Sequence, residues 1–345
     1  MVRTGAYAYA KYGWEDDDSP NVFGGTATQI ANSFGAKTAI TGWTLTTNRV
    51  NLGKLGQVEP AVYAYGQQAG TLGVGFVLSD TTSHEIFRNF YGAGVGAGNH
   101  SEAKVYGTNA AGGALKNFLG NSFTTEIGFT GDTDTIVRTL KGCIINTLSL
   151  SATIGGTVDC SADIVYGKED DPSTTVSAAA TEGGKPFTFA HGSIKLSDGV
   201  GNDVAIAVAE VQDVDINFAQ NSELLYQIGS NQAVAGIKKV LDITGRFRIA
   251  WNDNNAVEAV IAQLKGANYK ETWHDKYVSG SDNIEFELTF TNGVTAGSAG
   301  ERTIKITGSG LSLTDHNVSG LEPVEPVFEE LNWQVKTAKV TAVYS

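Results

Sequence analysis

Residues 211–229, VQDVDINFAQNSELLYQIG, lead into 240–251, VLDITGRFRIAW, and then 252–266, NDNNAVEAVIAQLKG. In the first segment Val214, Ile216 and Phe218 alternate with Asp213, Asp215 and Asn217. Side chains alternate between the two faces of a strand, so this pattern predicts a strand with one apolar and one acidic face. Leu241, Ile243, Phe247 and Ile249 predict a second strand, with Gly245 marking a bulge or a close approach. In the third segment Asp253 to Asn255 offer N-cap oxygens. Val257, Val260, Ile261 and Leu264 recur at helical spacing, and Gly266 suits the C-cap.

The same order occurs earlier in the chain. Residues 40–56, ITGWTLTTNRVNLGKLG, read as a strand and turn region. GTLGVGFVL (70–78) reads as a second strand, and SDTTSHEIFRNFYG (79–92) as a capped helix. A gapless overlay pairs Asn48 with Asn221, Leu52 with Leu225, Gly56 with Gly229 and Asp80 with Asp253, an offset of 173 residues that is close to half of the 345-residue length. Identities are few, and the repeated order of elements carries the inference of two diverged copies of one unit.

Forty-two glycines, abundant Thr and Ser and many short alternating segments point to a mainly β fold with flanking helices. A net charge of −13 argues against a nucleic-acid-binding surface, which needs clustered Lys and Arg. A repelling surface still allows DNA to slide past. No run of 18 apolar residues predicts a membrane helix, and MVRTGAYAYAKYGWEDDD lacks the apolar region of a secretion signal. Cys143 and Cys160 fall on neighbouring predicted strands and are expected as buried free thiols.

Four segments are expected: an aromatic N-terminal arm (1–39), a first β domain (40–167), a linker (168–186, KEDDPSTTVSAAATEGGKP) and a second β domain (187–345). The run from Glu15 to Asp18 reads as a solvated loop. The connections 51–68 and 224–239 read as long hairpin loops whose apolar residues, such as Leu52, Leu55 and Val58, suit docking.

No catalytic constellation is present. The five histidines are scattered, neither cysteine has a Cys-x-x-Cys partner, and no nucleophile elbow or Walker loop occurs. The glycines of 93–98 follow a helix rather than a strand, which excludes a phosphate cradle. Asp132 and Asp134 resemble only a fragment of a calcium loop. The chain is therefore expected to be no enzyme and to bind no cofactor or metal. Its positive signal is the acidic strand faces, Asp213 with Asp215 and Glu285 with Glu287, which repeated around a closed ring would line a channel.

These patterns resemble the major tail tube proteins of tailed phages and tailed archaeal viruses. The resemblance rests on the arm GWEDDDSPNVFG, the strand end WTLTTN, the helix end FRNFYG, the strand LKGCIINTLSL, and VDINFAQN with YQIG. It implies a β-sandwich or β-barrel domain with a flanking helix, assembling into stacked rings whose strands join into one inner barrel. It also implies a structural component of the virion tail, made in the host cytoplasm. Partners would be other copies of itself and further tail proteins: terminator, tape measure, and baseplate or tip. DNA would pass through the lumen without specific binding, and no membrane would be involved. With two copies per chain, a trimeric ring with pseudo-six-fold symmetry is expected; a hexamer using one copy per chain is the alternative. Asp213, Asp215, Glu285 and Glu287 are then expected in the lumen, and Leu52, Leu55, Val58, Leu225 and Ile228 between rings. The rival class is a secreted or envelope β-sandwich, such as an adhesin.

Overall fold

The computed structural model describes residues 8–15, 23–25, 27, 30–52, 62–80, 82–91, 104–107, 122–130, 135–177, 184–197, 203–206, 211–250, 285–294, 300–320 and 327–344. The first half holds β1 (Ala8–Trp14), β2 (Asn32–Ser33), β3 (Ala36–Leu52) and β4 (Val62–Val77). A 3-10 turn (Thr82–Phe87) then runs into one α turn, α1 (Arg88–Tyr91). After it come β5 (Lys104–Gly107), β6 (Phe123–Thr130), β7 (Thr135–Thr153), β8 (Val158–Tyr166) and β9 (Lys168–Glu169). The second half holds β10 (Gly192–Ser197), β11 (Asp203–Ile206), β12 (Val211–Ala219), β13 (Glu223–Leu225), β14 (Ala235–Ile237), β15 (Asp242–Ala250), β16 (Glu285–Thr291), β17 (Arg302–Ser319) and β18 (Phe328–Tyr344). The two strands read from 211–251 are therefore present as β12 and β15. The helix expected over 252–266 lies outside the described residues.

The two halves have the same strand order. The first runs β2-β1-β6-β7-β8-β4-β3, and the second β11-β10-β16-β17-β18-β15-β12. Their registers also agree. Adding 173 to both numbers converts the pairs Gly42↔Gly73 to Thr46↔Ala69 into Asp215↔Arg246 to Ala219↔Asp242. The pairs from Gly70↔Tyr166 to Val77↔Asp159 become Ile243↔Val335 to Ala250↔Phe328 when the β8 numbers rise by 169. A bulge between Ile145 and Thr147 in β7 recurs 168 residues later, between Leu313 and Asp315 in β17. Because a slip of one residue inverts every side chain, such agreement is a tight geometric constraint.

Core volume is redistributed between equivalent positions. Gly245 faces Trp333, whose ring fills the space a Cβ would need, whereas the equivalent pair is Leu72 and Ile164. Gly70 yields to the Tyr166 ring, and the equivalent pair is Ile243 and Val335. In each case one half has a large and a very small side chain where the other has two of middle size, so the core stays filled.

Each half folds into two layers. In the second, Phe286 of β16 meets Trp333 of β18 at 4.6 Å and Phe247 of β15 at 5.8 Å between ring centroids. Leu288 and Phe290 of β16 and Ile194 of β10 line a small gap against Val211 and Val214 of β12. The first half repeats this, with Phe34 beside β2 reaching Phe76 of β4 at 6.1 Å. The long strands β7 and β17 bend from one layer into the other. The halves join where β12 pairs with the C-terminal part of β7, from Asp213↔Thr153 to Ala219↔Thr147. Phe87 and Phe90 cover this junction, each 5.7 Å from the Phe218 ring. Buried Asn89 accepts a hydrogen bond from the Ile145 N–H at the bulge.

Three polar segments are more embedded than their composition suggested. β1, inside the expected arm, forms a full ladder with β6. Glu15 is buried rather than solvated: its carboxylate accepts hydrogen bonds from Gly24 N–H, Gly142 N–H, Ser122 Oγ and Thr124 Oγ1. Within the expected linker, Lys168–Glu169 pairs with β7, Ser173 exchanges backbone hydrogen bonds with Val137, and Ser177 binds Glu126. Charged and small residues read as a linker by composition, yet here their backbone groups are satisfied by a neighbouring strand. The expected loop 51–68 is also shorter, because β3 and β4 pair as far as Leu52↔Val62.

Candidate functional site

The acidic face of β12 is laced with cations from β15. Arg246 bonds Asp215, lies 3.0 Å from Asp213 and 3.8 Å from Glu330 of β18; Arg248 stands 3.9 Å from Asp213. The cross-strand register produces this, since Asp213 and Asp215 sit opposite Arg248 and Arg246. Asp213 is 8% exposed, and burial raises its carboxyl affinity for a proton even though both arginines oppose that. The surface is a mixed-charge lattice rather than a bare acidic strip.

Glu285 and Glu287 lie on a different layer. Their strand, β16, turns Phe286, Leu288 and Phe290 toward β12, β15 and β18, so its polar face points away from the face carrying Asp213 and Asp215. The four acidic residues expected on one wall are therefore divided between opposite outer surfaces. Alternation assigned each pair to the polar side of its own strand correctly but could not show that the sheet folds back. Glu287 pairs with Lys305 at 3.0 Å, and Glu285 accepts a hydrogen bond from Ser309 at 2.6 Å.

On the Asp215 side, the surface continues across β7 and β8 as Ser149, Ser151, Asp159, Ser161 and Asp163, since Ser149 is opposite both Asn217 and Ser161. Asp159 and Asp163 accept hydrogen bonds from Thr157 and Thr147 hydroxyls, each at 2.8 Å. Sequence reasoning left these two carboxylates out of the site, although the alternation of 158–166 contained the signal. They joined Asp215 only once β8 was known to lie next to β7.

Of the apolar loop residues, Leu225 is 38% exposed at the end of β13 and Ile228 is fully exposed beside Gly229, whose φ is +92°. This tip is held to the β3–β4 hairpin by Tyr226 Oη donating to Gln68 O and by Gln68 N–H donating to Asn231 O. Leu52 ends β3; Leu55 and Val58 lie outside the described residues, as do Asp132 and Asp134. Among the described residues, no cluster of His, Cys, Asp or Glu could hold a metal ion. Cys143 and Cys160 are free, buried thiols on β7 and β8, and burial pushes both well above the usual thiol range. No helix among the described residues is long and apolar enough to cross a membrane.

The two halves share one strand order and are joined edge to edge where β7 pairs with β12. A profile of the phage tail tube protein family matches residues 102–335. The chain belongs to that family. Compared with curated proteins, its sequence gives no match. Membership makes this a structural tail tube protein of a virion, associating with itself and with other tail components.

Proposed function

We propose that the chain is two diverged copies of one tube unit and that three chains close a pseudo-six-fold ring, which stacks into the hollow tail tube. The observation that carries this is the shared strand order and register of the two halves, joined through β7 and β12 into one sheet. That joined layer, β3-β4-β8-β7-β12-β15-β18-β17, runs through both halves and has a strand edge at each end. A layer of this kind can continue from chain to chain. The other layer is divided into two short pieces, β2-β1-β6 and β11-β10-β16.

On this reading, the lumen is the face carrying Asp159, Asp163, Asp213 and Asp215, with Glu285 and Glu287 on the outside. DNA passes such a wall without specific binding, because Arg246 and Arg248 are already engaged by carboxylates and phosphate binding needs available clustered cations. The exposed tip with Leu225 and Ile228 supplies contacts between rings. Tail terminator, tape measure and baseplate or tip proteins are the further partners of the stack.

The test is electron microscopy of the purified protein at rising concentration, followed by mass measurement of a solubilised ring. Hollow tubes built of three-chain rings are expected. Six chains per ring would overturn the trimer, and a protein that stays monomeric at every concentration would overturn the tube.

A further inference from the structure

We infer that neighbouring chains in the ring are joined by β3 of one chain adding to the C-terminal half of β17 of the next, in a register set by the internal β7–β12 junction. The inference rests on the ring reading and assigns its contact surface.

The internal junction is the template. β7 pairs with β8 along one edge. Its other edge pairs with β6 over its N-terminal half and with β12 from Thr147 to Thr153. β17 is built the same way: β18 runs along one edge, and β16 covers the other from Thr303 to Ser309. Beyond Ser309 no strand among the described residues takes the place β12 takes beside β7. β3, the counterpart of β12, pairs with β4 alone among the described residues. Each chain thus has one half of the internal junction at each end of its sheet.

Burial supports the same conclusion independently. Leu45 is 44% exposed, while its counterpart Phe218 is fully buried. Val318 is 39% exposed, while its counterpart Leu150 is 3% exposed. These apolar side chains occupy the core-facing positions that the internal junction covers. Open strand edges carrying apolar side chains template pairing with another chain, so the second copy of this protein is the partner they fit.

The register follows by transferring each internal pair, lowering the β12 number by 173 and raising the β7 number by 168. Asn217↔Ser149 becomes Thr44↔Asn317, Ile216↔Leu150 becomes Trp43↔Val318, and Asp215↔Ser151 becomes Gly42↔Ser319. Trp43 and Leu45 then share the core side with Val318, while Thr44 and Asn317 face the lumen. At the bulge, Gln220 N–H donates to Asn146 O at 2.8 Å; its counterpart is Thr47 N–H donating to Thr314 O of the next chain.

Disulfide trapping in assembled tubes tests this. The double variant Thr44→Cys/Asn317→Cys should oxidise to a covalent ladder ending at three chains, the closed ring. The variant Asn217→Cys/Ser149→Cys should form an intramolecular bond and shows that the oxidation works. Thr46→Cys/Ser319→Cys is four residues out of register, roughly 13 Å apart at the usual rise per residue, and should give no ladder. Tubes that show the internal bond but no Thr44–Asn317 ladder would overturn the junction while leaving the tube reading intact. Dimers from Thr44→Cys alone would also overturn it, by showing that β3 meets β3. Absence of any rings or tubes in the unmodified protein would instead overturn the tube reading itself.

Discussion

Truncating the same position in the two halves should have opposite consequences. Phe218 is fully buried on β12, 5.7 Å from each of the Phe87 and Phe90 rings. Phe218→Ala removes those contacts from a closed core and should cost about 3–5 kcal/mol, a large part of the roughly 5–15 kcal/mol that stabilises a typical protein. Leu45 is its counterpart on β3 and is 44% exposed. Leu45→Ala should change the stability of the single chain by under about 1 kcal/mol, as surface truncations do. In the ring, Leu45 would lose its remaining exposed surface, roughly 80 Å², worth about 2 kcal/mol per junction. The assembly constant per junction should therefore fall roughly 30-fold. Urea unfolding of the dilute chain measures the first quantity, and light scattering against protein concentration the second. The reasoning is refuted if Leu45→Ala destabilises the single chain as much as Phe218→Ala, or if it leaves the concentration dependence of assembly unchanged.

Two further outcomes follow from the core. A Cβ on Gly245 would stand 2.2 Å from Trp333 Cζ2 and 2.5 Å from the Asp215 carbonyl oxygen, so Gly245→Ala should destabilise by about 1–3 kcal/mol; an unchanged urea midpoint would contradict this. Burial by itself would raise the Glu126 carboxyl, but hydrogen bonds from Ser177, Tyr9 and Lys11, with the Lys11 charge, leave it below the usual range. A depressed carboxyl stabilises the fold at neutral pH, and that contribution is lost as pH falls through its folded value. Buried Glu15 acts in the opposite sense, because its burial outweighs four hydrogen bonds and raises its proton affinity. Glu126→Gln removes the negative charge 3.0 Å from Lys11, itself 2% exposed, and leaves the buried ammonium only neutral acceptors such as the Ser177 carbonyl. It should cost about 3–5 kcal/mol at pH 7 and flatten the loss of stability between pH 7 and pH 3 in denaturant titrations.

Much of the local structure was legible in the chain. Period-two alternation from Asp213 to Phe218 and along Glu285–Phe290 gave strands and their polar sides, because pleating enforces that period whatever the tertiary context. The offset of 173 was visible in a few residues such as Asn48 and Asn221, and the paired registers follow the same number. Composition carried less. The charged segment 168–177 and the acidic Glu15 looked solvated, since composition records the polarity of a side chain but not the donors that a fold brings to it.

The sequence by itself determined that 211–219, 242–250 and 285–291 form strands and which side of each is polar, because pleating enforces alternation. Tertiary structure alone decided which polar sides share a surface. β17 pairs with β16 over its first half and runs beside β18 along its whole length, which sets β16 over β12, so Asp213 and Glu287 end on opposite outer faces although both alternate in the same way. It also decided that β3 and the C-terminal half of β17 each keep one edge without a partner strand among the described residues. Strand pairing joins residues far apart in the chain, as Thr147 with Ala219, and no local pattern encodes which partner an edge will find or which edge is left for another molecule.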